Sequence, residues 1–128
     1  MRHVLIAAAV LFAAGAFATG WAAPAAAADA EAGAKVFRSQ CGACHTVEPG
    51  KNRVGPSMFG IFGRKSGEVE GFRYSAANKA ANLTWDAETL DKYLTNPRAL
   101  VPRTTMAFAG IRNATQRADL IAYLETLK

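Results

Sequence analysis

Cys41 and Cys44 stand three residues apart, and His45 follows the second cysteine directly. Two thiols at that spacing can add to the two vinyl groups on adjacent edges of a haem. The next side chain then falls beneath the metal, where an imidazole can ligate iron. Gly42 and Ala43, between the thiols, are small enough for a macrocycle to approach the backbone. Two other chemistries use related patterns. A Cys-x-x-Cys redox dithiol goes with a βαβ unit, and no such unit is visible around residues 41–45. A zinc site usually takes four Cys or His ligands. The chain has two of each, and His3 lies in a segment that reads as a leader. Covalent haem is the chemistry that uses all three residues of the motif.

The elements that must position such a group begin after that leader. Arg2 and His3 form a weakly basic head, Val4 to Ala18 is apolar, and Trp21 to Ala30 is rich in small residues with one proline, Pro24. This is the pattern of a secretory signal peptide. Cleavage fits after Ala28 or after Ala30; the first is preferred because it leaves Asp29 to cap the helix that follows. The expected organisation is therefore a removed segment, 1–28, and one domain, 29–128. The competing reading is a retained membrane anchor, for which the apolar run is short of the roughly 20 residues a span needs.

Export would place the protein in the periplasm, where two cysteines would be expected to pair. Thioether bonds to haem would give both thiols a permanent fate instead. The formal net charge is +5, and Arg2 is the one Lys or Arg in the leader. A basic balance suits acidic partners or anionic surfaces. No basic cluster points to nucleic acid. A mature domain of about 100 residues is marginal for building its own core. Lys51 to Leu83 shows little apolar periodicity, and a buried haem would supply the apolar mass that is missing.

The chain predicts three main helices. The first runs from an Asp29 cap to Gln40, with Gly33 and Phe37 on one face; Gly33 predicts the close approach of another helix. The second begins with Thr84 as cap, carries Leu90, Tyr93 and Leu94 at helical spacing, and stops at Pro97. The last starts at Asn113, with Gln116 in a capping-box position, and presents Leu120, Ile121, Leu124 and Leu127. A short helical turn is expected over Ala76 to Lys79, and a loop from Arg98 to Ile111. The carbonyl of Gly55-Pro56 is a candidate to hold the second nitrogen of a ligand histidine.

These features together resemble the class I cytochromes c, of the kind that includes mitochondrial cytochrome c and small soluble bacterial relatives. The resemblance runs from about Asp29 to the C-terminus. It rests on Cys41-Gly42-Ala43-Cys44-His45-Thr46-Val47-Glu48, Gly55-Pro56, Phe62-Gly63-Arg64-Lys65, Tyr74 through Asn78, Thr84-Trp85, Tyr93-Leu94 with Asn96-Pro97, and Met106 through Ile111. It implies an all-α fold with loops wrapped round one covalent haem c and crossing N- and C-terminal helices. It implies thioethers at Cys41 and Cys44, and iron held by His45 and Met106. Pro56 would orient the histidine, and Tyr93 would lie near the methionine sulfur. Arg64, Tyr74, Ser75, Asn78, Trp85 and Thr104 match positions around the propionates and their waters. Taken singly, Trp85 reads as core and Arg64 as a solvated charge. Met58 reads as packing, and Phe108 matches the aromatic beside the exposed haem edge.

The expected function is a periplasmic one-electron carrier, not an enzyme. By resemblance its partners are a cytochrome bc complex and a terminal oxidase or photosynthetic reaction centre, met transiently by a monomer. The chain departs from many relatives at Arg98, Arg103, Thr105 and Gln40, which bears on the docking face rather than on the haem. A peroxidase or gas-binding haem protein with a labile methionine, and an anchored carrier with its N-terminus retained, are the rival readings.

Overall fold

The computed structural model describes residues 26–128. The apolar run expected to act as a leader lies outside the described residues. The fold is all-α: α1 (Ala30–Gln40), α2 (Ala76–Ala80), α3 (Ala87–Thr95), α4 (Pro97–Leu100) and α5 (Ala114–Glu125).

α1 starts where the sequence places it. The Asp29 carboxylate accepts from the N–H groups of Glu31 at 2.8 Å and Ala32 at 3.2 Å, satisfying donors that a first turn leaves free. Gly33 and Phe37 are its buried residues, and they meet α5. A Cβ added at Gly33 would overlap the Asp119 carbonyl oxygen and come within 2.8 Å of the Tyr123 Cβ. Phe37 and Tyr123 stack tilted, with ring centroids 5.7 Å apart. Leu120 is fully buried beneath them. The expected crossing of the terminal helices is present, and the absence of a side chain at Gly33 sets its closeness.

α3 begins later than expected. Thr84 is not its cap, because the backbone around it is already engaged. Lys65 and Thr84 form an isolated antiparallel bridge. The Trp85 N–H donates to Arg64 O at 2.9 Å, and the Ser66 N–H to Leu83 O at 2.8 Å. This pairing pulls residues 83–85 into an extended path. Asp86 caps instead, its carboxylate accepting from the Thr89 N–H at 2.8 Å. Leu90, Tyr93 and Leu94 are the buried face of α3.

Pro97 ends α3 but also opens α4, where a loop was expected. Asn96 serves both helices: its N–H closes α3 on Lys92 O, and its side chain accepts from the Ala99 N–H. Proline has no donor to lose at a first helical position and a φ already suited to it. α5 is capped by Asn113, whose side-chain oxygen accepts from the Gln116 N–H at 3.0 Å. Gln116 makes no return bond, so the capping box is half formed. Arg117 ties α5 to α3 through Asp91 at 2.8 Å and holds the carbonyls of Ile111 and Arg112 at 3.0 Å.

Between α1 and α3 side chains bonding to backbone supplement the turn and loop hydrogen bonds of the main chain. The Thr46 hydroxyl donates to Lys51 O at 2.5 Å, and the Ser57 hydroxyl to Glu48 O at 2.6 Å. Asn52 accepts from the Ser57 N–H at 2.9 Å and donates to Glu70 O at 3.3 Å. Gly60, Gly63, Gly67 and Gly71 all take positive φ, which is why this glycine-rich stretch can bend so often without a helix or strand.

Candidate haem site

The Cys-x-x-Cys-His segment follows directly from the end of α1. The N–H groups of Cys44 and His45 both donate to Cys41 O, at 3.0 and 2.9 Å. This closed turn brings both thiols and the imidazole to one side. Arg53 clamps it from the next loop, donating from a guanidinium nitrogen to Gly42 O at 3.1 Å. The Gly55 N–H reaches back to Cys44 O at 2.9 Å.

His45 is oriented by two adjacent residues. Its Nδ1 lies 2.8 Å from Pro56 O. A carbonyl can only accept, so Nδ1 carries the proton and Nε2 keeps its lone pair for a metal. Gly55 packs flat against the ring: a Cβ there would fall 2.6 Å from Nδ1 and 2.7 Å from Nε2. Sequence reasoning found the carbonyl but missed this close approach. Its available signal was the glycine ahead of Pro56.

Met106 is held from the loop that follows α4. Its N–H donates to the Thr104 hydroxyl oxygen at 3.3 Å, and the Thr104 N–H donates to Val101 O at 3.1 Å. Val101 is only 1% exposed, so this loop is anchored in the core. The Tyr93 hydroxyl donates to the methionine sulfur at 3.9 Å, a weak contact that aims the thioether. Tyr93 is itself fixed against Trp85, with ring centroids 4.8 Å apart.

One cavity gathers these groups. Cys41, Cys44, His45, Pro56, Tyr74, Ser75, Asn78, Trp85, Tyr93, Thr104 and Met106 all line it, among apolar neighbours that include Ile61, Leu90, Leu94, Leu120 and Leu124. Met58 lines it too, as the packing residue it was expected to be, and Phe108 borders it half-buried. Arg64 is the one expected site residue outside the lining. Its guanidinium donates to Phe59 O at 2.8 Å and Ser57 O at 3.3 Å, so it braces the loop behind the cavity.

The polar atoms fit an anionic cofactor edge. Arg64 Nε and Asn78 Oδ1 are buried without partners. Two such orphans close to one cavity call for an occupant. The two ends of an amide are exchangeable, so Asn78 offers a donor as readily as an acceptor. The Tyr74 oxygen accepts from the Val69 N–H at 3.3 Å, leaving its own proton to donate. Ser75 caps α2 by accepting from the Asn78 N–H at 3.1 Å.

Burial also shifts the titrating groups. It pushes the Cys41 thiol up to about 11, with Cys44 adding to the effect. It raises both Tyr74, against the Val69 hydrogen bond, and Tyr93, against a hydrogen bond with Thr104. It lowers the Arg64 guanidinium. The phenols therefore stay protonated donors well past neutral pH.

An all-helical domain whose cavity joins a Cys-x-x-Cys-His turn to a tethered methionine is a covalent-haem protein by its donor set. The chain belongs to the cytochrome c family, whose model, described as cytochrome c, matches residues 30–128. It is 51% identical over 100 residues to cytochrome c of Euglena viridis, covering 78% of this chain and 98% of that one. Over 104 residues it is 50% identical to cytochrome c2 of Blastochloris viridis, covering 80% and 81%. Cytochrome c type-1 of Ascaris suum is 50% identical over 97 residues, covering 76% and 87%. Members of this family carry covalent haem c and act as electron-transfer proteins rather than enzymes.

Proposed function

We propose that this chain is an exported, periplasmic one-electron carrier whose iron is ligated by His45 and Met106. The observation that carries the reading is the convergence of two independently tethered donors on one apolar cavity: His45 held by Pro56 O, and Met106 held by Tyr93 and Thr104. Bound through Cys41 and Cys44, haem supplies a single one-electron couple.

The residues do the rest. Pro56 keeps the imidazole in the metal-binding tautomer. Tyr93 holds the thioether and Thr104 the Met106 backbone, so a bound haem would keep this sulfur as a ligand through its redox change. Leu90, Leu94 and Leu120 exclude water, which with a sulfur ligand favours a high potential. Tyr74, Ser75, Asn78 and Trp85 line the cavity where they would hold the propionates, with Arg64 bracing the loop behind.

Val54, 81% exposed, and Cys44, also exposed, mark an open side of the cavity. Redox partners would dock there, with Phe108 at the rim, through interfaces below about 1,200 Å². Surface cations would speed the encounter more than they strengthen it. A cytochrome bc complex as donor, and a terminal oxidase or photosynthetic reaction centre as acceptor, suit the likeness to the bacterial cytochrome c2. Among the described residues no helix is long and apolar enough to cross a membrane. The protein would work as a monomer.

The test is the spectrum and potential of the purified holoprotein. A low-spin ferric form with a sulfur-to-iron band, and a reversible one-electron wave, are expected. High-spin iron that binds cyanide rapidly would assign the site to a peroxidase or gas-binding protein instead.

A further inference from the structure

Among the described residues Asp119 is the one buried carboxylate. It is 9% exposed on α5, and the electron-transfer role makes no use of it. Among the described residues its side chain accepts one hydrogen bond, from the Asp29 backbone N–H at 2.8 Å, across 90 positions of sequence. None of the described ion pairs includes it. A buried carboxylate facing only a neutral amide is poorly compensated. The amide it faces belongs to the residue that caps α1.

We infer that the Ala28–Asp29 peptide bond is the processing site, and that the ammonium group released there forms an ion pair with the Asp119 carboxylate. The inference rests on the export reading above. In the step, an endopeptidase of the export machinery adds water across that bond. Ala28 leaves with the new carboxylate on the leader, and the Asp29 nitrogen takes up the proton. The atom that donated a neutral N–H to Asp119 now carries a positive charge at the same distance.

The geometry discriminates between the two sites that the small-residue pattern allows. Cleavage after Ala30 would remove Asp29, and with it both the α1 cap and the donor to Asp119. Cleavage after Ala28 keeps both. A cation at a helix start ordinarily opposes the dipole, but this one is met by carboxylates from both packed elements. On α1 the Asp29 carboxylate bonds the Glu31 and Ala32 N–H groups and Glu31 is the acidic residue of the first turn, while Asp119 faces the amine from α5, where Tyr123 also packs against α1. Processing would thus lock the helix crossing, because the leader must be gone before the charge exists.

Mass and N-terminal sequencing of periplasmic holoprotein come first. A chain beginning at Asp29 is expected. One beginning at Glu31 would overturn the inference and leave export standing, whereas one retaining Met1 would overturn export as well. Guanidinium unfolding of the ferric holoprotein then tests the pair. Acetylating the Asp29 amine removes the charge and keeps an N–H, so it isolates the ion pair without touching the core. Acetylation should lower the folding equilibrium constant about tenfold, the difference between a charged and a neutral donor to the Asp119 carboxylate. Asp119→Asn should cost about tenfold more in the free-amine protein than in the acetylated one. Equal costs, or no effect of acetylation, would overturn the pairing. Because the pairing favours the charged amine, the stabilisation is present while that amine is protonated and fades as pH climbs through its folded value.

Discussion

The helix crossing and the ligand loops solve opposite problems. Where α1 meets α5, Phe37 stacks on Tyr123 and the helices close on a missing side chain at Gly33, so that side chains meet directly even though Phe37 and Leu120 also line one wall of the cavity. From Thr46 to Leu83 only the single turn α2 is helical, positive-φ glycines make the bends, and hydroxyls and amides hold neighbouring carbonyls. That half leaves two buried polar atoms unpartnered beside an apolar cavity. One region is closed largely by its own side chains, while the other is completed by what it binds. The difference implies a domain whose ends dock through ordinary apolar burial and whose middle takes its order from haem.

Removing the haem breaks the comparison most severely. Cys41→Ser with Cys44→Ser should abolish covalent pigment, and amides from 51 to 84 should then exchange at nearly unfolded rates. Protection surviving in α1 and α5 would mark the crossing as the independent half, and uniform protection throughout would refute the division. Next in size is Gly33→Val, which drives a branched side chain into the Asp119 carbonyl. A loss of about 2–4 kcal/mol is expected, read from the guanidinium midpoint, with the spectrum of the folded fraction unchanged. Gly55→Ala is the matching insult on the other side. It should cost about 1–3 kcal/mol and, unlike Gly33→Val, alter the ferric spectrum, because the new methyl displaces the His45 ring. An unaltered spectrum would show that Gly55 does not set that ring. The smallest effect belongs to Arg103, a non-glycine residue at φ +64 in the methionine loop. Arg103→Gly relieves about 1–2 kcal/mol of left-handed strain and gives back about 0.5–1 in unfolded-chain entropy. A net stabilisation between about 0 and 1.5 kcal/mol is expected, with slower displacement of Met106 by imidazole. Faster displacement would show that the strained residue holds the loop closed.

Much of this was legible before any coordinates. Asp29 and Asn113 cap the helices that open beside them because short polar side chains satisfy free N–H groups wherever a helix begins. Leu90, Tyr93, Leu94, Leu120, Ile121 and Leu124 are buried as their spacing indicated. Thr84 misled because a good local cap was outbid by a bridge to Lys65, nearly twenty positions away, which no local pattern reveals. Pro97 read as a stop and proved also a start, since one residue can serve both when Asn96 caps each side. Arg64, which taken singly read as a solvated charge, is half-buried: its guanidinium braces the carbonyls of Phe59 and Ser57 and leaves Nε without a partner.

The order of residues alone determined the attachment chemistry, the helical segments and the apolar faces, because covalent spacing, capping and periodicity act over a few neighbours. Folding decided the rest: that Pro56 O meets His45, that Tyr93 meets Met106, that Gly55 lies flat on the imidazole, and that Asp119 faces the backbone of Asp29. Those are contacts between segments far apart along the chain. Their distances are set by how whole helices and loops pack together, and by no property of the residues taken one at a time.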